Sequence, residues 1–204
     1  MAAAVVAAIV LTILLPEDMR TLPRGVIPAI EGLLLIALIV ADPGRIDRRS
    51  RELRWLSIGL VAILTLSSLA ATAQLVEVLI NGGKETNSAS DLLAAGTIVW
   101  LANIIAFSLL FWELDSGGSA ARAHHLGRYP DFAFPQQLNP DIAPRGWRPR
   151  YIDYLYLGFT NATAFSPTDA MPTAPWAKIA MAVQAFTSIA ILGLVIARAV
   201  NVFT

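Results

Sequence analysis

Apolar and polar positions fall in long blocks along this chain rather than at the short period of a half-buried helix or strand. A helix rises about 1.5 Å per residue, so about 20 apolar residues cross a hydrocarbon core about 30 Å thick. The runs from about Trp55 to Ile80, Leu92 to Trp112 and Trp176 to Val202 meet that length. The run from about Gly25 to Ala41 nearly does, interrupted by Pro28 and Glu31. An opening run, Ala2–Leu15, stops at Pro16 and covers only about 20 Å. It predicts a helix that enters obliquely or continues a longer native one. Lacking a basic leader, it reads as a retained anchor rather than a signal peptide. The pattern therefore predicts an all-α polytopic membrane protein of about five transmembrane helices.

Between the last two long runs the pattern changes. Glu113–Pro149 is rich in Gly, Pro, Arg and Asp and too polar to span. Tyr151–Ala164 then reads as a short amphipathic helix with Tyr151, Tyr154, Leu155 and Phe159, broken by Pro167 and Pro172. A short helix that stops at a Pro/Ser/Thr turn just before a full-length span predicts a re-entrant element. Irregular backbone at that depth is tolerated only where protein or a water-filled cavity surrounds it. The competing expectation is an interfacial helix lying flat with its aromatics at the headgroups. The chain divides into a three-helix region, 1–91, and a second region, 92–204. No internal repeat is visible, which disfavours an inverted-repeat transporter.

Composition sharpens the class. Of the 204 residues 56% are hydrophobic and 15% charged, against about 25% charged in soluble domains. A formal net charge of zero gives no reason to expect nucleic acid or another polyanion as partner. The absence of cysteine removes disulfides, thiolate metal sites and cysteine nucleophiles. Lys84 and Lys178 are the only lysines among 15 basic residues, a bias that suggests a GC-rich bacterial genome and hence an inner (plasma) membrane. No phosphate cradle, nucleophile elbow or paired-carboxylate motif is present, so neither enzyme chemistry nor a cofactor is expected. Adjacent His124 and His125 on a polar loop, with Asp131 and Asp141 nearby, make a poor metal site.

The order helix, long loop, short helix, polar turn, helix resembles the pore module of the tetrameric potassium-channel superfamily. The residues carry part of the resemblance. Tyr154–Thr163 is similar to that family's pore helix. Ala164, Phe165, Ser166, Pro167, Thr168 and Asp169 fall where its filter lies. Met171-Pro172 is similar to the filter exit, and Val195–Val200 to the inner helix. The stretch Phe159–Asp169 is also similar to a signature of a bacterial multi-pass family of uncharacterised activity. The pore resemblance covers Leu110 to the end and leaves the first three helices unexplained. It implies a homo-oligomer, a tetramer if a channel, with a monovalent cation as the permeant partner. The departures limit it. Ser166 and Thr168 replace glycines whose freedom a carbonyl filter uses, Pro167 fixes a torsion between them, and Ala164 replaces the filter threonine. The expectation is a polar turn of Thr163, Ser166, Thr168 and Asp169 that passes partly hydrated cations with little potassium preference, or that conducts nothing. The alternative is a structural or accessory membrane protein in which Pro167 and Asp169 make an ordinary turn and helix cap.

Arg45, Arg48, Arg49, Arg51 and Arg54 place the loop 42–54 in the cytoplasm by the positive-inside rule. Counting spans from there returns the loop 113–150, with Arg122, Arg128, Arg145, Arg148 and Arg150, to the same side. A potassium-channel pore loop faces the exterior, so charge and resemblance disagree, and we follow the charge rule. Glu31, an intramembrane carboxylate beside Pro28, is a candidate coupling group of a small transporter, or else pairs with an arginine of a neighbouring helix. Glu77 is expected near an interface. Gln74, Asn103 and Gln184 read as interhelical hydrogen-bonding residues. Gln184 and Ser188, with Thr187 beside them, form a face suited to line a cavity. Gly193 reads as a close-packing point or else a hinge, Arg198 as snorkelling, and Phe111-Trp112, Trp147 and Trp176 as interfacial aromatics.

Overall fold

The computed structural model describes residues 1–17, 20, 22–23, 25–41, 51–81, 88–123, 129–164 and 169–203. Among them the helices are α1 (Ala2–Leu14), α2 (Val26–Ala41), α3 (Arg51–Asn81), α4 (Ala89–Leu114), α5 (Ser119–Ala123), α6 (Pro135–Leu138), α7 (Tyr151–Ala164) and α8 (Pro175–Phe203). Two short strands, β1 (Phe132–Ala133) and β2 (Met171–Pro172), pair antiparallel with Phe132 opposite Pro172. The segments Glu52–Asn81, Ala89–Gly117 and Pro175–Val200 are long and apolar enough to cross a membrane, while α1 and α2 are apolar but shorter. Large apolar side chains point outward on α2, α3 and α8, among them Leu33, Leu66, Ile179 and Phe186. That inverts the usual surface of a soluble domain and is consistent with a membrane protein.

Local chemistry sets the helix ends. Ser88 caps α4, its hydroxyl accepting from the Asp91 backbone N–H at 3.4 Å, and Asp91 in the first turn suits the positive end of the helix dipole. Asp153 plays the same part in α7, accepting from the Arg150 N–H at 2.6 Å. Pro175 opens α8 at the position where a missing N–H costs nothing. The third apolar run was expected to begin near Trp55, whereas α3 starts a turn earlier. Its extra turn carries Arg54, whose guanidinium donates to the Gly117 carbonyl at the far end of α4. That contact sets the start of α3 and the end of α4 at one end of the molecule.

The central helix is α4, which packs against α1, α3, α7 and α8. At the Asp115 end, Val5 and Ala8 of α1 pack with Leu60, Val61 and Leu64 of α3 and Leu109 of α4. At the opposite end Leu15 joins Ala71, Leu75, Leu92, Ala95, Val99, Ile191 and Val195. The helices α1, α3 and α8 therefore run antiparallel to α4. Close approach is set by two glycines of the four-helix contact. A Cβ on Gly96 would sit 2.8 Å from Val195 Cγ2, and one on Gly158 would sit 2.2 Å from Ser108 Oγ and 3.3 Å from the Ile104 carbonyl oxygen. Gly193, expected as the packing glycine, has open space where a Cβ would be. It faces outward on α8, and the close contacts fall to Gly96 and Gly158 instead.

Candidate functional site

The region after α4 is built on one buried carboxyl group. Asp115 ends α4 and is fully buried. It accepts from the backbone N–H groups of Asp131 at 2.9 Å and Phe132 at 3.2 Å, from Ser116 Oγ at 3.0 Å, and from the Tyr154 hydroxyl. Burial first, then the adjacent Asp115, pushes the Tyr154 phenol far above its usual range, so it stays a protonated donor. Asp131 answers by accepting from the Ser116 N–H at 2.8 Å. The chain can turn this sharply because Ser116, Gly117 and Gly118 take successive left-handed φ values of 53°, 81° and 96°. Arg122 donates to the Asp115 carbonyl at 2.7 Å and lays its guanidinium 4.3 Å above the Trp112 ring and 5.3 Å from that of Tyr154. Around this knot Phe111, Phe132, Phe134, Tyr154 and Trp176 form a network of tilted and edge-on ring contacts. Of the aromatics expected at interfaces, Trp112 packs on Tyr151 and Tyr154, Trp147 on Phe134, and Phe111 and Trp176 on Phe132.

From the knot, α7 runs antiparallel to α4 for about 20 Å. Its path is marked by Tyr154 at Asp115, Gly158 at Ser108, and Phe159 against Trp100 with ring centroids 6.1 Å apart. It ends at Ala164. By Ala170–Pro172 the chain is back among Phe132, Phe134 and Tyr154, and Thr173 N–H donates to the Asp131 carbonyl at 2.8 Å. The chain thus goes out along α4 as α7 and, from Ala170, is again at the end that α7 left, after which α8 runs back along α4.

The excursion is held by polar groups inside an otherwise apolar interface. Asn161 Nδ2 donates to Gln184 Oε1 at 2.8 Å and to the Met181 carbonyl at 2.9 Å, and Gln184 Nε2 donates to the Gly158 carbonyl at 2.9 Å. Asn103 Nδ2 donates to Thr187 Oγ1 at 2.9 Å. Asn103 and Gln184 therefore bond across helices as expected. The face of Gln184 and Ser188 does not line a cavity: both side chains are fully buried, because Asn161 and Gly158 of α7 occupy the space in front of Gln184. Gln184→Leu is expected to cost about 1–2 kcal/mol, the range for interhelical hydrogen bonds in membranes, and to lower the thermal midpoint in detergent by about 5 °C. A calorimetric or light-scattering melt checks this, and an unchanged midpoint would remove the Asn161–Gln184 pair as a tie.

Of the filter-like residues, Thr163 and Ala164 are exposed at the end of α7, and the Thr163 hydroxyl donates back to its own helix at Phe159 and Thr160. Phe165, Ser166, Pro167 and Thr168 lie outside the described residues, as do His124 and His125. Asp169 is exposed and opens onto a cleft of about 400 Å³ that also meets Asp153, Tyr156, Thr160 and Gln136. Glu31 is elsewhere, in the seam between α2 and α3. It is fully buried, and its expected arginine partner is replaced by Ser67, whose hydroxyl donates to Glu31 Oε1 at 3.2 Å. The chain matches no protein-family model, no curated protein and no solved structure.

Sequence reasoning gives Asp115 and Asn161 no role and weighs Asp131 only beside His124 and His125. The signal for Asp115 was present: an acid at the boundary of an apolar run followed by Ser-Gly-Gly, where a turn can fold main-chain donors back onto it. Asn161, one turn beyond Gly158, carried the comparable signal of an amide on the small-residue face of a short helix.

Proposed function

We propose that the chain is an ion-channel-like integral membrane protein of about five transmembrane helices, with α7 as a re-entrant element before the last. In this reading it assembles as a symmetric homo-oligomer around a weakly selective cation path. The supporting observation is that α7 leaves one end of the bundle and the chain is again at that end from Ala170, before α8 runs back along α4. One such element encloses nothing, so a path requires several chains around an axis. Asp169, exposed beside Asp153 at the root of the returning strand, supplies the carboxylate of the cation route. Native mass spectrometry in mild detergent is expected to give a tetramer. In proteoliposomes Asp169→Asn is expected to lower monovalent cation flux several-fold without discriminating potassium from sodium. A monomer or dimer sinks the channel reading.

The second reading is an accessory membrane protein in which nothing permeates. The observation that favours it is the closure of the α4–α7–α8 interface: Asn161, Gln184 and the Gly158 carbonyl satisfy one another, which suits a static packing element. In that case Asp169→Asn leaves the flux at the level of protein-free vesicles, as does the wild type.

Orientation is tested separately. Because the chain has no cysteine, a single Asp169→Cys is a unique thiol. The positive-inside rule predicts that it reacts with a membrane-impermeant maleimide in inverted vesicles and not in right-side-out ones.

A further inference from the structure

A second, independent feature lies on the other side of α4. Helices α1, α2, α3 and α4 enclose a cleft of about 630 Å³. Its walls are hydrocarbon, contributed by Leu11, Ile27, Leu64, Ile98, Val99 and Ala102 among others. Arg20 stands at the end where α1 stops. Its Nη2 donates to the Ile13 carbonyl at 3.0 Å and to that of Leu15, which fixes the guanidinium against the helix end. The Nε edge remains buried with no partner. Deeper in the wall stands Ser68, 5% exposed, whose hydroxyl also has no partner. A buried guanidinium edge and a buried hydroxyl left unmatched around an apolar void are what a site keeps for a ligand. Among the described residues that line the cleft none is acidic.

The chemistry of the occupant follows from these walls. One end must be an anionic acceptor for the unmatched Nε–H of Arg20, its Nη2 being already given to two carbonyls. The rest must be a flexible hydrocarbon. The cleft is a single one between α1, α2, α3 and α4, which suits one acyl chain rather than the two of a phospholipid. We propose that this cleft binds a single long-chain fatty carboxylate, its headgroup at Arg20 and its tail between α1, α3 and α4. The inference does not rest on the pore reading. A pore, a scaffold or a transporter would equally carry such a site.

The test uses the full-length protein, stripped of lipid in a maltoside detergent, with palmitate as the probe and hexadecanol, which has the same chain without the charge, as its control. Native mass spectrometry is expected to show one palmitate per chain, bound about tenfold more tightly than hexadecanol, the share a charge-assisted pair contributes. Arg20→Gln is expected to erase that preference while leaving chain binding, and Arg20→Lys to restore part of it. Ala102→Leu, which fills the cleft, is expected to abolish both adducts with the ligand-free melting temperature held. Equal binding of palmitate and hexadecanol by the wild type overturns the headgroup assignment whatever the variants do. Undiminished binding by Ala102→Leu overturns the location, as does an adduct at several equivalents with no one-to-one plateau.

Discussion

Asp115→Ala lowers the thermal midpoint of the purified protein by about 10 °C. The fully buried side chain accepts four hydrogen bonds, two of them from backbone N–H groups. Truncation leaves those donors and the Tyr154 hydroxyl desolvated, a loss of about 4 kcal/mol, which for a chain of this size corresponds to a shift of that order. Asp115→Asn keeps one strong acceptor and forfeits about half. Tyr154→Phe removes a single donor and costs about 1–2 kcal/mol. The effect should be felt beyond stability. With the knot released, residues 129–134 lose their hold on the return strand Met171–Pro172, so limited proteolysis should cut the variant between α4 and α7 at protease levels the wild type resists. A midpoint shift below about 3 °C would mean that the aromatic packing, and not the carboxyl group, ties this end.

Gly158→Ala is the second large effect, and its partner is specific. The added methyl would lie 2.2 Å from Ser108 Oγ, far inside contact distance, and 3.3 Å from the Ile104 carbonyl oxygen. Ser108 cannot swing aside cheaply, because its hydroxyl already donates to the Ile104 carbonyl at 2.6 Å and the side chain is fully buried. Overpacking of this kind costs about 2–3 kcal/mol. Ser108→Ala alone is expected to be near neutral, since it removes only a hydrogen bond made within its own helix. Combined, the two changes replace the 2.2 Å clash by an ordinary contact with the Ser108 Cβ, 3.4 Å from the added methyl. The double variant should therefore recover most of the loss, a coupling above about 1 kcal/mol in a double-mutant cycle. Additive behaviour would show that α7 shifts along α4 instead of clashing. Gly158→Leu has no such rescue.

The helices were legible because length and apolarity along a chain answer directly to the thickness of a hydrocarbon layer. Tyr151–Ala164 was placed to the residue, and α1, α2 and α8 within one or two residues. The ends were less legible where tertiary contact overrides composition, as at the start of α3, where Arg-Glu-Leu-Arg is helical because Arg54 has a carbonyl to reach at Gly117. Within the polar stretch 113–150 the Ser-Gly-Gly that follows is all that sets Asp115 apart from Asp131 and Asp141 in the sequence. Its weight shows only once the left-handed turn at Ser116 brings two backbone donors onto that side chain. Glycines showed the same limit. The sequence marks Gly96, Gly158 and Gly193 equally, and only the crossing of α4 with α7 and α8 decides which lie at a close approach. Glu31 is a buried carboxyl, and its partner lies on a helix face, at Ser67, that no local spacing connects to it.

The contact between Arg54 and Gly117 has a further consequence for how unequal the two ends of the bundle are. Arg54, the Asp115 turn and the β1–β2 pair gather at that end, while Leu15, Leu75 and Leu92 pack together at the opposite one. The Asp115 end is thereby an aromatic-cored cap with its own turns and strands, a surface with a shape of its own for an antibody to grasp.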